Sequence, residues 1–214
     1  MDIKKQFGAN FAQEWGKFVV DERLSEQQAE NFLRYLLLLQ QESKKINITT
    51  ITEPQSIVSY HFRDSLRLFD LADLKKPKGI ADIGTGGGFP GIPIAIKYPE
   101  IPMILIEVNH KKNRFLNAVI QELGLKQVLV VDLDWRTFLR KTEYSIDLFV
   151  ARASLQPEEL VRAFKPSSVY KHAQIVYWAA SSWEPIAQVE SFIKGEYSYK
   201  VGNKKRKLVL FALD

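Results

Sequence analysis

The chain has 214 residues, 46% hydrophobic and 26% charged, the balance of a globular domain, which excludes a disordered chain. It holds no cysteine, so disulfides, thiolate catalysis and cysteine-based zinc sites are excluded. The formal charge of +5 is concentrated: residues 194–207 carry Lys194, Lys200, Lys204, Lys205, Arg206 and Lys207 against Glu196, and the rest of the chain balances. That segment reads either as a phosphate-contacting patch or as a solvated turn between two strands. No apolar run approaches the roughly 20 residues that span a membrane, and the opening MDIKKQFGAN lacks the apolar stretch of a secretory signal, so a soluble, cytoplasmic protein is expected.

The first part reads as helical. Leu24, Ala29, Phe32, Leu33, Leu36, Leu37 and Leu39 recur at helical spacing. Asn47-Ile48-Thr49-Thr50 breaks the pattern, and a second helix is predicted from Glu53-Pro54 through Ile57, Val58, Phe62, Leu66 and Phe69. Lys75 to Gly79 reads as a linker, which sets the expected organisation: a helical segment 1–78 packed on a core 79–214. Strands are predicted at Ile80–Ile83, Met103–Ile106, Val128–Val131, Ile146–Ala151 and Gln174–Trp178, with helices at Lys111–Leu123 and Glu158–Phe164 between them. Strands alternating with helices indicate a parallel sheet covered on both faces. The ending differs: Tyr197–Val201 and Leu208–Ala212 flank Gly202-Asn203, which predicts an antiparallel hairpin at the sheet edge. The fold class is therefore α/β, a seven-stranded, mostly parallel sheet with N-terminal helices and a C-terminal hairpin.

The strongest local signal is Ala81-Asp82-Ile83-Gly84-Thr85-Gly86-Gly87-Gly88-Phe89-Pro90-Gly91, which follows the first strand and opens onto the helical stretch Ile92–Lys97. Ligands bind outside the carboxyl ends of strands in such sheets. Five glycines within residues 84–91 are costly in chain entropy unless something approaches the backbone. A P-loop needs Lys-Ser/Thr after its last glycine, and Ile92 stands there. A dinucleotide fingerprint needs glycine where Phe89 stands. Glu107 ends the second strand, where an acid can accept both ribose hydroxyl protons of any adenosine cofactor, so by itself it does not separate NAD from S-adenosylmethionine.

Asp82-x-Gly84-x-Gly86-x-Gly88 resembles the first motif of Rossmann-like class I methyltransferases, which tilts the choice to S-adenosylmethionine. That resemblance implies that Asp82 sits near the cationic methionine end and that Gly84 and Gly86 line it. The chain more specifically resembles the glucose-inhibited division protein B family. The matching pieces are Asn47-Ile48-Thr49, His61-Phe62-Arg63-Asp64-Ser65-Leu66, Asp82 through Ile94, Lys111-Lys112 with Arg114-Phe115-Leu116, Glu122-Leu123-Gly124-Leu125 and Ala151-Arg152-Ala153. The resemblance implies transfer of a methyl group to N7 of a guanine in 16S ribosomal RNA, with that RNA or the small ribosomal subunit as partner. It implies a cofactor pocket lined by Gly84 and Phe89, an adenine-side pair Thr137 and Phe138, and Arg152 facing cofactor and substrate. Two departures stand out: Phe138 occupies the place of the family's Glu, and Trp178-Ala179-Ala180 that of its Lys-Gly.

Guanine N7 carries a free lone pair and no proton, so methylating it is an in-line displacement that needs alignment rather than a general base. A chain without an evident catalytic dyad suits that chemistry. His61, His110 and His172 are scattered and form no metal-ligand spacing, so no metal is expected. His61, beside Asp64 and Ser65, reads as a wall of the active face or a helix–sheet contact. Lys111 and Lys112 read as a solvated helix end. Arg152 leaves a buried strand and needs a polar partner, for which cofactor carboxylate, guanine O6 or phosphate each suffice. A monomer is expected. The same residues also fit two other functions: a methyltransferase for another RNA position or a small molecule, and a catalytically weak RNA-binding protein of ribosome assembly.

Overall fold

The computed structural model describes residues 3–72, 74–152, 155–164 and 168–212. The short apolar runs form β1 (Ile80–Ile83), β2 (Met103–Ile106), β3 (Val128–Val131), β4 (Leu148–Arg152) and β5 (Gln174–Ala180). The basic C-terminal segment forms β6 (Ile193–Val201) and β7 (Lys204–Phe211). All join one seven-stranded sheet in the order β3-β2-β1-β4-β5-β7-β6. β1 to β5 pair in parallel, while β7 runs antiparallel to β5, and β6 to β7. The expected class and hairpin are therefore present, with both hairpin strands longer than the sequence pattern predicts.

Strand alternation divides the core in two. Ile80, Met103, Leu105, Leu148 and Val150 point to one face, where the N-terminal helices pack with Gly91–Lys97 and His110–Leu123. Ala81, Ile83, Ile104, Ile106, Phe149 and Ala151 point to the other, covered by Trp135–Lys141, Pro157–Ala163 and Ala187–Glu190. The N-terminal helices share one continuous apolar cluster with the sheet. The predicted linker is pinned: Asp147 accepts hydrogen bonds from the amides of Lys78 and Gly79, and Gln174 from that of Lys75.

The helical layer begins earlier than the leucine pattern indicates. Helices Ile3–Phe7 and Ala9–Asp21 precede Glu26–Ser43, which starts at a capping box between Ser25 and Gln28. Phe11, Trp15 and Phe18 lie at helical spacing and are buried, a signal that was present in the sequence. The segment predicted as one helix from Pro54 to Phe69 changes hydrogen-bond pattern instead. It runs as α-helix Pro54–Ile57, π-helix Val58–Arg63, a short turn Asp64–Leu66 and 3₁₀-helix Arg67–Asp70. A π turn of this kind often marks a functional site. Helix Trp135–Lys141 was not apparent from periodicity; Asp134 caps it by accepting from the amides of Arg136 and Thr137.

Tyr35 ties the helical layer to the glycine turn. Its ring is fully buried against Phe62 and Phe89, and its hydroxyl donates to the Gly87 carbonyl. Tyr35→Phe keeps the ring and strands a buried carbonyl, so urea unfolding is expected to show a loss of about 1–3 kcal/mol. No measurable loss would place the Gly87 carbonyl in water rather than in the core.

Candidate functional site

The strand order reverses at β1, which has β2 on one side and β4 on the other, so a crevice opens at its carboxyl end. Asp82 shapes the turn there. Its Oδ2 accepts from the Thr85 hydroxyl at 2.6 Å and from the Gly91 amide at 2.8 Å, closing the turn onto the helix Gly91–Lys97. A Cβ at Gly91 would stand 2.4 Å from Leu105 Cδ2 and 2.9 Å from Asp82 Oδ2, so only glycine permits this approach. Asp82 is fully buried, and its Oδ1 has no hydrogen-bond partner. Its contribution seen in the structure is the shape of the turn.

The glycines divide by role. Gly84, Gly86 and Gly88 all have positive φ. A Cβ at Gly88 would meet Ile92 at 2.6 Å and the Tyr35 hydroxyl at 2.7 Å, so this glycine serves packing inside the turn rather than a pocket lining. At Gly86 a Cβ would find only Gly84 O at 3.9 Å and Lys112 Nζ at 4.0 Å. An open hollow lies there, next to exposed Gly84. Lys112, read from sequence as a solvated helix end, is half-buried at its edge.

Glu107 borders the same hollow. Its Oε2 accepts from the Gly86 amide at 3.0 Å and its Oε1 from the Asn109 amide at 2.9 Å, which holds the carboxylate in place with lone pairs to spare. Val108 follows it and is 55% exposed, a large apolar side chain at a polar rim. The sequence reading passed over Val108, although an apolar residue directly after a strand-ending acid was the signal. Across the rim, His110 pairs with Asp132 at the end of β3.

Of the adenine-side pair, Phe138 does not present its ring. The Phe138 ring is completely buried among Tyr144, Phe149 and Tyr170, and its amide and carbonyl are spent within and just after its helix. It offers no ring face to a ligand. Thr137 is half-buried, with its amide donating to the Asp134 carboxylate.

Arg152 ends β4 with partners drawn from the protein itself, where the sequence reading looked to a ligand. Its Nη1 donates to Asp64 Oδ2 at 3.0 Å and to the Tyr60 carbonyl at 3.2 Å. Its Nη2 lies 3.1 Å from His61 Nδ1, and its guanidinium sits 5.1 Å from the Phe89 ring centre. The side chains of Arg152 and Asp64 are 11% and 1% exposed. Tyr199, from β6, donates to Asp64 Oδ1 at 2.6 Å. Trp178 donates from Nε1 to the Asp64 carbonyl and is buried, so it does not present a stacking surface in place of the family's lysine.

Arginine can only donate, so His61 Nδ1 accepts and Nε2 carries the proton, donating to Thr49 Oγ1 at 2.9 Å. Phe89 stacks on His61 with ring centres 4.1 Å apart. Pieces far apart in sequence, Thr49, His61, Asp64, Phe89 and Arg152, thus form one contact group, and His61 and Asp64 make the helix–sheet contact. Ala153 lies outside the described residues. A groove of about 860 Å³ sits elsewhere, between helices Trp135–Lys141 and Pro157–Ala163 on the sheet's flank. Among the described residues no group of three or more His, Asp or Glu side chains could hold a metal ion.

Comparison with known proteins places these features. A family model described as rRNA small subunit methyltransferase G matches residues 28–196. A relative named ribosomal RNA small subunit methyltransferase G from Clostridium botulinum is 44% identical over 108 residues, covering 50% of this chain and 45% of its own. One of the same name from Clostridium kluyveri is 36% identical over 153 residues, covering 71% and 59%. The matches thus span about half the length of these curated relatives. Among solved structures, a mutant of MtNAS in complex with S-adenosylmethionine aligns with a TM-score of 0.54 at 16% identity, over 94% of this chain and 84% of that one. The precorrin-6y C5,15-methyltransferase of Geobacter metallireducens aligns at 0.50 and 14%, over 77% and 90%. At these identities the structural likeness establishes the fold.

Two buried groups give stability opposite pH dependences. Burial raises the Asp82 carboxyl to about 6, against the hydrogen bonds from Thr85 and Gly91. Ionised Asp82 therefore weakens the fold above that value, and the cost is relieved as pH falls from 6 toward the ordinary 3.8. Burial, with Arg152 beside it, holds His61 down at about 3, so stability is lost as pH falls from 6.5 toward 3 while the unfolded chain takes up the proton. Compared with Asp82→Asn, wild type is expected to gain unfolding free energy when melts move from about pH 8 to about pH 5. A difference that does not move would show that Asp82 does not titrate in this window.

Proposed function

The chain belongs to the rRNA small subunit methyltransferase G family, and from that premise we propose that it transfers a methyl group from S-adenosylmethionine to N7 of a guanine in 16S ribosomal RNA. The observation that carries this reading is the open hollow at Gly86, bordered by the fixed carboxylate of Glu107 and the exposed Val108. Those residues suit the cofactor. Glu107 retains acceptor capacity for two ribose hydroxyls, Val108 offers an apolar surface to a base, and the backbone at Gly84 and Gly86 is open to an amino-acid tail. Buried Asp82 behind the turn adds negative charge that favours a cation.

When bound, S-adenosylmethionine supplies an electrophilic methyl carbon on a cationic sulfur. Gly84, Gly86, Glu107 and Val108 would hold it so that this carbon could face the N7 lone pair, which needs no general base. The protein's task is alignment, and holding both partners in line supplies several kcal/mol. Guanine presents N7 and O6 on one edge. Arg152, held by Asp64, His61 and Phe89, keeps 11% of its side chain exposed, and in this reading it donates from there toward O6 or a phosphate. With no helix among the described residues long and apolar enough to cross a membrane, a cytoplasmic site of action fits this substrate.

Removing Arg152 alone leaves Asp64 charged and buried without its cation, a loss of about 3–5 kcal/mol. The informative variant is therefore Arg152→Met combined with Asp64→Asn, which keeps an acceptor for Tyr199. It is expected to stay folded by circular dichroism and to lose methyl transfer to RNA. Full transfer would remove Arg152 from the site. Calorimetric titration should give micromolar binding of S-adenosylmethionine to wild type and at least a roughly tenfold loss in Gly86→Asp, which fills the hollow. Mapping of methylated guanines in 16S RNA with and without the gene decides the target, and an unchanged map overturns it.

A further inference from the structure

The basic C-terminal segment resolves into two parts. Lys207 is buried, pairs with Glu196 at 3.3 Å and lies over the Trp183 ring, so it is spent on the fold. The hairpin tip is different. Lys200, Lys204 and Lys205 are exposed and Arg206 is half-buried, and no acidic residue occurs between Tyr197 and Ala212. Lys200 and Lys205 stand directly opposite each other across the two strands. Two like charges at one cross-strand position destabilise a hairpin unless an anion lies between them.

Topology brings this tip to the crevice. β7 is antiparallel to β5, and Arg206 pairs with Ala180, the last residue of β5. The Gly202-Asn203 turn therefore projects from the sheet edge where Gly86, Glu107 and Arg152 lie. The tip is also docked there. The Tyr60 hydroxyl donates to Asn203 Oδ1 at 2.6 Å, Lys204 lies over the Tyr60 ring, and a Cβ at Gly202 would stand 2.8 Å from the Tyr60 hydroxyl. The carbonyl of that same Tyr60 accepts from Arg152. One residue thus connects the cationic tip with the arginine of the candidate site, and Tyr199 connects the hairpin to Asp64.

We propose that the β6–β7 tip, through Lys200, Lys204, Lys205 and Arg206, is the arm that holds the phosphate backbone of the RNA while a guanine enters the crevice. This rests on the RNA-directed reading above and adds the surface that carries the substrate's charge. Contacts to phosphate are independent of base sequence and release counterions, so their number is readable from the salt dependence of binding.

The test uses the full chain and transcribed 16S RNA, with affinity measured across a salt series. Lys200→Ala/Lys205→Ala removes two exposed charges that touch neither Tyr60 nor Asp64. It should lower the slope of log affinity against log salt by about 1.4 for single-stranded contacts, a loss on the order of tenfold near 0.15 M salt, and leave S-adenosylmethionine binding unchanged. Lys200→Arg/Lys205→Arg should restore both slope and affinity. Lys76→Ala/Lys126→Ala removes the same charge at the opposite edge of the sheet and should do neither harm nor good. Equal affinities and slopes in the tip and control variants would overturn the arm while leaving the methyltransferase reading intact. A tip effect in a protein that transfers no methyl group would uphold the arm and sink that reading. Wild type that binds no RNA at low salt overturns both, and binding to phosphatidylglycerol vesicles in preference to RNA, lost in the tip variant, would assign the surface to a membrane.

Discussion

A guanidinium at the end of a buried strand cannot stay without a counter-charge, and the fold is arranged around supplying one. Arg152 receives Asp64 from the helical layer, and Asp64 in turn receives Tyr199 from the edge strand β6. The acid can sit 1% exposed only because both its oxygens are engaged. His61 and Phe89 fill the remaining sides, and His61 must be neutral with its proton on Nε2 for the packing to hold. Three parts of the chain with no sequence proximity are thereby fixed relative to one another at the mouth of the crevice.

The glycine turn beside this cluster solves a different problem. It must pass close to the sheet at Gly91, pack without side chains at Gly88 and still leave space at Gly86. Asp82 accomplishes the first with a single oxygen accepting two hydrogen bonds, and its other oxygen remains without a partner. That costs stability at neutral pH and maintains negative charge behind the hollow. Glu107 links the turn to the end of β2 through the Gly86 amide.

Much of this is legible in the sequence. Alternating apolar runs and glycine stops located the strands because strand burial on both faces leaves a continuous hydrophobic signature. The glycine cluster located the crevice because chain entropy makes such a cluster improbable without purpose. What was not legible depended on long-range packing. Nothing in the spelling of residues 135–141 says that Phe138 turns into the core, since its helix is short and its burial is decided by Phe149 and Tyr170. The π turn at Val58–Arg63 was equally hidden, because a helical period does not distinguish it over six residues. The need of Arg152 for a partner follows from desolvation, but the partner's identity does not, as Asp64 lies 88 positions from Arg152 and Tyr199 lies 135 positions from Asp64.

Tyr199 is contributed by β6, which is held to the sheet only through β7, so the clamp on Asp64 closes only once β7 has joined β5. Until then β5 presents an unpaired edge and the Asp64 carboxylate lacks one of its two donors. A fold without the hairpin consequently cannot complete the arginine-bearing wall. The hairpin thus finishes the crevice wall as well as the sheet.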